Sequence, residues 1–135
     1  MSIGIGGRAR LVSQDNITAI YEYAPYNLNE NGYRNIDIEY DGVIIISKES
    51  LVEPEIHEKT RKSPSGKKKL VIKRIQRDVD YTKRLEQKQI IVENSKYCWH
   101  ILDNGVGKIA MHIIFEIYRL YQDTGLLPET ISYHV

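Results

Sequence analysis

The sequence predicts a single α+β domain in which a mainly antiparallel, twisted sheet of five to six strands packs on one long C-terminal helix at about residues 105–123. Three observations indicate this fold. Short runs rich in β-branched residues and tyrosine alternate with turn residues over much of the chain. One later segment carries apolar residues at helical spacing. The length of 135 residues suits one domain.

The first two strands are predicted in the N-terminal part of the chain. Residues 8–13 and 17–23 are separated by Gln14-Asp15-Asn16, which are residues typical of turns. The second run is rich in β-branched and aromatic residues, so we expect the two to pair as a hairpin. Residues 1–7 precede them and are glycine-rich, from which we expect a mobile segment.

A second hairpin is predicted around Asp41-Gly42. Residues 36–40 alternate apolar and polar side chains, and residues 43–46 are an unbroken apolar run. A two-residue Asp-Gly loop suits a hairpin because both of its residues tolerate the positive φ that the turn needs. We expect the alternating strand to leave one face to solvent and the apolar strand to lie inside the sheet with both faces covered.

The middle of the chain is predicted to hold one or two short helices and further strands. Ser50 with Glu53 resembles a capping box, which indicates a helix within residues 50–62. Asp78 or Asp80 is a suitable N-cap for a second helix that ends near Lys88. Strands are expected on the remaining runs of β-forming residues, which are 69–76, 89–93 and 131–135.

The long helix is predicted in the C-terminal third. Apolar residues follow the 3–4 spacing of a buried helix face at Val106, Ile109, Ala110, Ile113, Ile117 and Leu120. A narrow polar stripe is formed by Lys108, His112, Glu116, Arg119 and Asp123. Gly125 can end the helix in the left-handed conformation, and Pro128 prevents its resumption. Because an apolar sheet face needs a cover, we expect the sheet to wrap around this helix.

The charges are strongly segregated, although the formal net charge is only +1. Nine Lys or Arg and no Asp or Glu fall between Lys59 and Arg77, while the rest of the chain holds 10 basic and 18 acidic side chains. Such a segment suggests an anionic partner. The candidate residues for contact with an acidic protein or with phosphates are Lys67, Lys68, Lys69, Lys73, Arg74 and Arg77. A solvated loop that protects a sheet edge from pairing is the simpler alternative.

Two histidine-containing groups are candidates for chemistry. Cys98 and His100 would share one face of an extended segment, which suggests an activated thiol. Together with Asp103 and His112 they suggest a metal site. The chain lacks CxxC and HxxxH spacings, so a structural role is the favoured interpretation. The second candidate is His57 with its acidic neighbours, for which a solvated patch is the simpler explanation: Glu53, Glu55 and Glu58.

These observations favour a protein that acts by contact and not by catalysis. The leading hypothesis is a protein-binding module, such as an inhibitor or an immunity-type protein of bacterial style, that occludes its partner. A nucleic-acid-binding protein that uses residues 59–77 is one alternative, and a small enzyme or metal protein centred on Cys98 and His100 is another. Association with a second copy of the chain also remains open. We expect no cofactor and no resident metal.

The cellular location is predicted to be the cytoplasm. Cys98 is the single cysteine and cannot form an internal disulfide, which is typical of a reducing compartment. The N-terminus lacks a basic region followed by a long apolar run, so no secretory signal is expected. No stretch of apolar residues has the length of about 18 that a membrane-spanning helix needs, so no membrane association is expected.

Overall fold

The structure is a computed structural model that describes residues 5–27, 40–62, 64–96 and 100–134. Its elements confirm the predicted α+β class. They are, in chain order, β1 (Ile5–Gln14), β2 (Thr18–Asn27), β3 (Gly42–Ser47), a 3-10 turn (Lys48–Ser50), β4 (Glu55–Lys62), β5 (Lys68–Ile75), α1 (Tyr81–Glu86), β6 (Ile90–Glu93), α2 (Lys108–Thr124) and β7 (Thr130–His134).

Five of the strands form one antiparallel sheet in the order β6-β3-β2-β1-β7. The first two strands are the predicted hairpin, and the carboxylate of Asp15 closes its turn by accepting the backbone N–H groups of Ile17 and Thr18, both at 2.7 Å. β7 pairs with β1, so the last described strand lies beside the first. β4 and β5 form a separate two-stranded sheet.

The long helix α2 covers one face of the five-stranded sheet, as its apolar spacing predicts. Ile113, Ile114 and Ile117 are completely buried in a core that the sheet completes with Tyr21, Tyr23, Ile44 and Ile46. Gly7 of β1 allows the close approach, because an added Cβ would lie 2.4 Å from Ile109 Cγ2. The helix ends at Gly125, whose φ of +79° is the predicted left-handed stop.

Three tyrosines belong to this core and keep their hydroxyl groups bonded. Tyr21 donates to the carbonyl of Pro128 at 2.6 Å, and the hydroxyl groups of Tyr118 and Ser50 lie 2.6 Å apart. Tyr23 is equally buried, and its hydroxyl accepts the backbone N–H of Ser95 at 3.1 Å. Burial raises the pKa of Tyr21 and of Tyr118 above the ordinary value. These side chains are therefore neutral packing residues with satisfied polar ends.

The helix predicted within residues 50–62 is wrong, because Glu55–Lys62 is strand β4. The hydroxyl of Ser50 does not cap a helix and instead donates to the carbonyl of Ser47 at 2.6 Å, within the 3-10 turn. The segment has too few apolar residues for a helical face, whereas it finds a full-length partner in β5. Pairing with a neighbouring strand overrides weak local signals of this kind.

The prediction of a two-residue turn at Asp41-Gly42 is also wrong. Positive φ among the described glycines occurs at Gly66, Gly105 and Gly125, and Gly42 is the first residue of β3, where it pairs with Tyr23 of β2. The reason for glycine at this position is packing, because an added Cβ would lie 2.3 Å from the Tyr23 ring. Within residues 36–40, the proposed partner strand, residues 36–39 lie outside the described residues.

The strand predicted at 43–46 is present as β3 and lies inside the sheet, between β2 and β6. Its burial alternates, however. Ile44 and Ile46 face the core, whereas Val43 and Ile45 on the other face are only partly buried. The prediction that both faces are covered is therefore met on the core face and only in part on the other face.

The second short helix is present as α1. The carboxylate of Asp80 accepts the backbone N–H of Lys83 at 3.0 Å and so acts as its N-cap. The turn after the helix contains Lys88 with a φ of +58°. Mobility was predicted for residues 1–7, of which residues 1–4 lie outside the described residues and Ile5, Gly6 and Gly7 are the first three residues of β1.

Candidate functional site

The basic segment folds into a two-stranded ribbon, residues 55–75, that stands apart from the main sheet. β4 and β5 pair with each other and with no other described strand. Every side chain of β4 is exposed, and in β5 only Val71 and Ile75 are partly buried. A pair of strands without support from a core is marginally stable in water. The ribbon therefore depends on its attachment to the body, on a partner, or on both.

The register gives the ribbon two chemically different faces, because side chains alternate along a strand and directly opposite residues share a face. The cationic face carries His57, Lys59, Arg61, Lys69, Val71 and Lys73, with Glu55 and Ile75 at its base. The apolar face carries Ile56, Leu70 and Ile72, together with Glu58, Thr60, Lys62, Lys68 and Arg74.

Positive charge is concentrated in the half of the ribbon that lies away from the body. Six Lys or Arg and no Asp or Glu occur from Lys59 to Lys69. None of these six forms an ion pair with any residue in the described part of the chain. The carboxylates of the ribbon lie nearer its base, where Glu55 Oε1 and His57 Nε2 are 2.8 Å apart. The tip is therefore cationic and without counter-charge from the described part of the chain.

Two cross-strand pairs place like charges directly opposite each other. Arg61 faces Lys69 on the cationic face, and Lys62 faces Lys68 on the apolar face. Like charges in directly opposite positions destabilise an antiparallel pair. Protection of a sheet edge needs only a few charges along one strand, so edge protection does not explain this doubling. The repulsion within these pairs destabilises the isolated ribbon, and a bound anion would reduce it.

The apolar face exposes three large aliphatic side chains. Ile56, Leu70 and Ile72 are 55%, 57% and 56% exposed. Leu70 and Ile72 are neighbours on one strand, and Ile56 lies diagonally across from Ile72 in the register, within reach of a cross-strand contact. A contiguous apolar group in a solvent-facing position is typical of a contact surface.

The base of the ribbon is fastened to the C-terminal half of α2. The side chain of Gln122 is buried and bonds both backbone groups of Arg77, accepting from its N–H at 2.7 Å and donating to its carbonyl at 2.9 Å. Gln76 donates to the carbonyl of Arg119 at 3.1 Å. Before β4, the Tyr121 hydroxyl donates to the Glu53 carboxylate at 2.6 Å. Both ends of the ribbon are thus held by one helix.

The six basic residues that the sequence analysis singled out do not share one surface. They occupy the tip turn (Lys67), the apolar face (Lys68 and Arg74), the cationic face (Lys69 and Lys73) and the anchored segment after β5 (Arg77). Arg74 turns back toward the body, where its Nη1 donates to the carbonyl of Gln122 at 3.5 Å, near the negative end of the α2 dipole. Lys59 and Arg61 were missed as contact residues, because only the pairing of β4 with β5 places them on the cationic face.

The candidate histidines of the described structure lie on separate parts of the chain, with His57 on β4, His100 before α2 and His112 on α2. His100 is exposed, and His112 is partly buried, with its ring stacked on Tyr133 at a centroid distance of 4.5 Å. Burial, with a smaller effect of Lys108, lowers the pKa of His112. Cys98 lies outside the described residues, so an enzyme or metal site centred on it stays a prediction. Among the residues that are described, no three His, Cys, Asp or Glu side chains are grouped to hold a metal ion.

A polar cluster that the sequence did not indicate lies on the sheet face remote from α2. The ring of His134 bonds the Tyr26 hydroxyl through Nδ1 and the Ser132 hydroxyl through Nε2, the latter at 3.1 Å. Gly6 lies opposite both Tyr26 and His134, and an added Cβ would be 2.6 Å from the Tyr26 hydroxyl. The partners are 108 residues apart in sequence, so no local motif joins them.

This cluster resembles the serine–histidine pair of hydrolases, but its chemistry differs. A histidine that activates a serine has an unprotonated Nε2, and a carboxylate holds the hydrogen on its Nδ1. Here Nδ1 faces the Tyr26 hydroxyl in place of a carboxylate, and a hydroxyl both donates and accepts. The ring hydrogen of His134 is therefore not fixed on Nδ1 as the hydrolase pair requires. The cluster is a clasp that joins β2 and β7 across β1.

No family model, curated protein or solved structure matches the chain. The function is therefore inferred from the chain's own residues. Within the described ranges, no helix combines the length and the apolar character that crossing a membrane requires.

Proposed function

We propose that this chain is a non-catalytic protein-binding module whose contact element is the apolar face of the ribbon. The observation that carries the proposal is the exposure of more than half of each of Ile56, Leu70 and Ile72 on an element without a core of its own. Complete burial of such side chains is worth roughly 1.5–3 kcal/mol each. About half of each remains to be buried by a partner, which makes this face the ribbon's main reserve of apolar binding energy.

The chemistry around the apolar face defines the partner. Lys62 and Lys68 border it at the tip, and Arg74 borders it at the base. A protein surface that offers an apolar groove edged with carboxylates complements this arrangement in both respects. The outer edges of β4 and β5 are also unpaired in the described structure, so an extended segment of the partner can add to the ribbon as a further strand.

A second copy of the chain fits this face less well than an acidic partner. Two apolar faces placed against each other would bring the pair Lys62 and Lys68 of one copy near like charges of the other. The three aliphatic side chains also form a small patch compared with the roughly 1,200–2,000 Å² that stable interfaces bury. The mode of action that follows is occlusion of a partner's acidic groove, as in inhibitors and immunity-type proteins.

The first step of the test is to identify the partner by position-specific cross-linking. A photoreactive amino acid replaces Leu70 on the ribbon or, as a control, Val12 of β1, which is 56% exposed and so equally accessible. A protein that cross-links in the source cells at position 70 and not at position 12 is then purified. Its affinity for the intact chain is measured by titration at several salt concentrations.

The second step compares two triple-threonine variants against that purified partner. Threonine keeps the β propensity of the strands. Replacement of Ile56, Leu70 and Ile72 should weaken binding about 100-fold, because roughly 1 kcal/mol is lost at each position. The control carries threonine at Val12, Ile17 and Leu126, which are 56%, 72% and 73% exposed, and should bind normally. Equal affinity of the two variants would refute the role of the apolar face. Affinity unchanged between ~50 and ~500 mM salt would refute the acidic groove.

A further inference from the structure

We propose that the cationic face of the ribbon binds the phosphate backbone of duplex nucleic acid. This role is independent of the protein contact proposed for the opposite face, because the two sets of side chains point in opposite directions from the same strands. Lys59 and Arg61 on β4 and Lys69 and Lys73 on β5 form the surface. His57 lies on the same face near the base, where its Nε2 is bonded to the Glu55 carboxylate.

The spacing of these cations suits a regular polyanion. Same-face residues on a strand repeat at about 6.6 Å, which is about twice the 3.4 Å axial spacing of phosphates along one strand of DNA. Lys59 and Arg61 are two residues apart on β4 and follow this repeat. Lys69 on β5 lies directly opposite Arg61 and adds a second cation at the same level of the ribbon. The repulsion between Arg61 and Lys69 is relieved by continuous negative charge, which a nucleic acid supplies.

The apolar component of the cationic face supports the lysines and does not compete with them. Val71 lies directly opposite Lys59 and between Lys69 and Lys73 along its own strand. It is only partly exposed although its strand packs on no core, as expected where the aliphatic stems of lysines cover an apolar neighbour. The charged groups of these lysines then extend outward, and their aliphatic stems pack around Val71.

The shape of the ribbon and the charge of the body decide how it approaches a duplex. The major groove, about 12 Å wide, admits a two-stranded ribbon. The rest of the chain outside Lys59–Arg77 holds 18 acidic and 10 basic side chains, so the body is repelled by phosphates while the ribbon is attracted. The anchors on α2 keep the base of the ribbon fixed. A docked ribbon therefore projects into the groove with the body held outside it.

The experiment measures binding of a fluorescent 20-base-pair duplex by anisotropy from ~50 to ~300 mM salt. The variant Lys59→Gln/Lys69→Gln/Lys73→Gln is compared with the control Lys83→Gln/Lys88→Gln/Lys108→Gln, whose three lysines are exposed on the body. Both variants have the same net charge. Because each phosphate contact contributes about −0.9 to the log–log salt slope, the ribbon variant should lose about 2.7 from that slope and at least ~100-fold in affinity at ~100 mM salt. The control should stay within about threefold of the unmodified chain.

Further arms of the experiment separate this proposal from the protein-binding one. The threonine variant of Ile56, Leu70 and Ile72 should keep its affinity for the duplex, so the apolar and cationic faces can fail independently. Two duplexes of unrelated sequence should bind equally, as expected of backbone contacts. Circular dichroism confirms that each variant is folded.

Four results would overturn the proposal. The first is an absence of binding at ~50 mM salt, where phosphate contacts are strongest. The second is an equal loss in the two lysine variants, which would show that only net charge matters. A single-stranded oligonucleotide that binds as tightly as the duplex would contradict insertion into a groove. Poly-L-glutamate that binds with the same affinity and salt slope would assign the cationic face to an acidic protein instead.

Discussion

Replacement of Gln122 by alanine should loosen the ribbon from the body and destabilise the whole fold. The Gln122 side chain is 2% exposed, and its amide bonds both the N–H and the carbonyl of Arg77, at 2.7 and 2.9 Å. These two bonds tie the segment that follows β5 to the last turns of α2.

The expected loss of stability follows from the groups that the substitution leaves behind. Each lost hydrogen bond contributes about 1 kcal/mol, and more where the remaining partner stays buried. The buried Cγ methylene group, which alanine lacks, adds roughly 0.8 kcal/mol. Gln122→Ala should therefore reduce the free energy of unfolding by about 3 kcal/mol, whereas Gln122→Leu, which retains the apolar volume, should reduce it by about 2 kcal/mol. At this chain length the alanine variant should melt about 10 °C lower.

Chemical denaturation gives the free energies, and hydrogen exchange locates the change. The Arg77 amide should exchange much faster in Gln122→Ala, and the amides of β4 and β5 should follow, since the ribbon loses its anchor. Gln14→Ala is the matched control, because Gln14 is exposed, lies away from the ribbon base, and its loss should change stability by less than about 1 kcal/mol. A loss below about 1 kcal/mol in Gln122→Ala, or an unchanged exchange rate at Arg77, would refute the anchoring role.

Three further predictions concern the body of the protein. Ile113→Ala should lower the free energy of unfolding by ~2–5 kcal/mol, because the side chain is fully buried between helix and sheet; a loss below ~1 kcal/mol by denaturation would contradict its place in the core. Gly42→Ala should cost about 1–3 kcal/mol through contact with the Tyr23 ring, and Tyr23→Leu in the same chain should recover part of this loss in a double-mutant cycle. The lowered pKa of His112 means that the unfolded chain takes up a proton first as the pH falls. Its contribution to stability is therefore full above the unfolded pKa of about 6.5 and decreases below it, and His112→Phe, which keeps the stack on Tyr133, should remove this part of the pH dependence in thermal melts.

The sequence predicted the body of the fold well because its signals there are periodic and extended. The spacing from Val106 to Leu120 predicted α2, and Gly125 marked its end. The predictions failed where one residue type can serve two structural roles. Gly42 was interpreted as a turn residue, but its lack of a side chain accommodates the Tyr23 ring. Ser50 was interpreted as a helix cap, but its hydroxyl bonds Tyr118, 68 residues away.

The sequence predicted the positive charge of the candidate site but not the division of its side chains into two faces. Composition alone located the basic segment, because a run from Lys59 to Arg77 without acids is visible in any window. The division into two faces depends on the register of β4 with β5, and the β4 half was predicted as helix. With the helical period of 3.6 residues, Ile56 and Lys59 would lie on the same face, whereas on a strand they lie on opposite faces. The clasp of Tyr26 and His134 could not be predicted from the sequence, because it joins strands that only the sheet order brings together.

The separation of the two faces requires a fixed register, and the ribbon cannot set that register by itself. A slip of one residue in one strand would move all of its side chains to the other face, so that Ile72 would replace Lys73 among the cations. Strands with a buried face resist such slips, but both faces of this ribbon are exposed. Two other features fix the pairing. Gly66, with a φ of +84°, sets the turn at the tip, and the bonds of Gln122 and Tyr121 hold the two strands at the base. Loss of the base anchor should therefore weaken the protein contact and the nucleic-acid contact together, although each depends on different side chains.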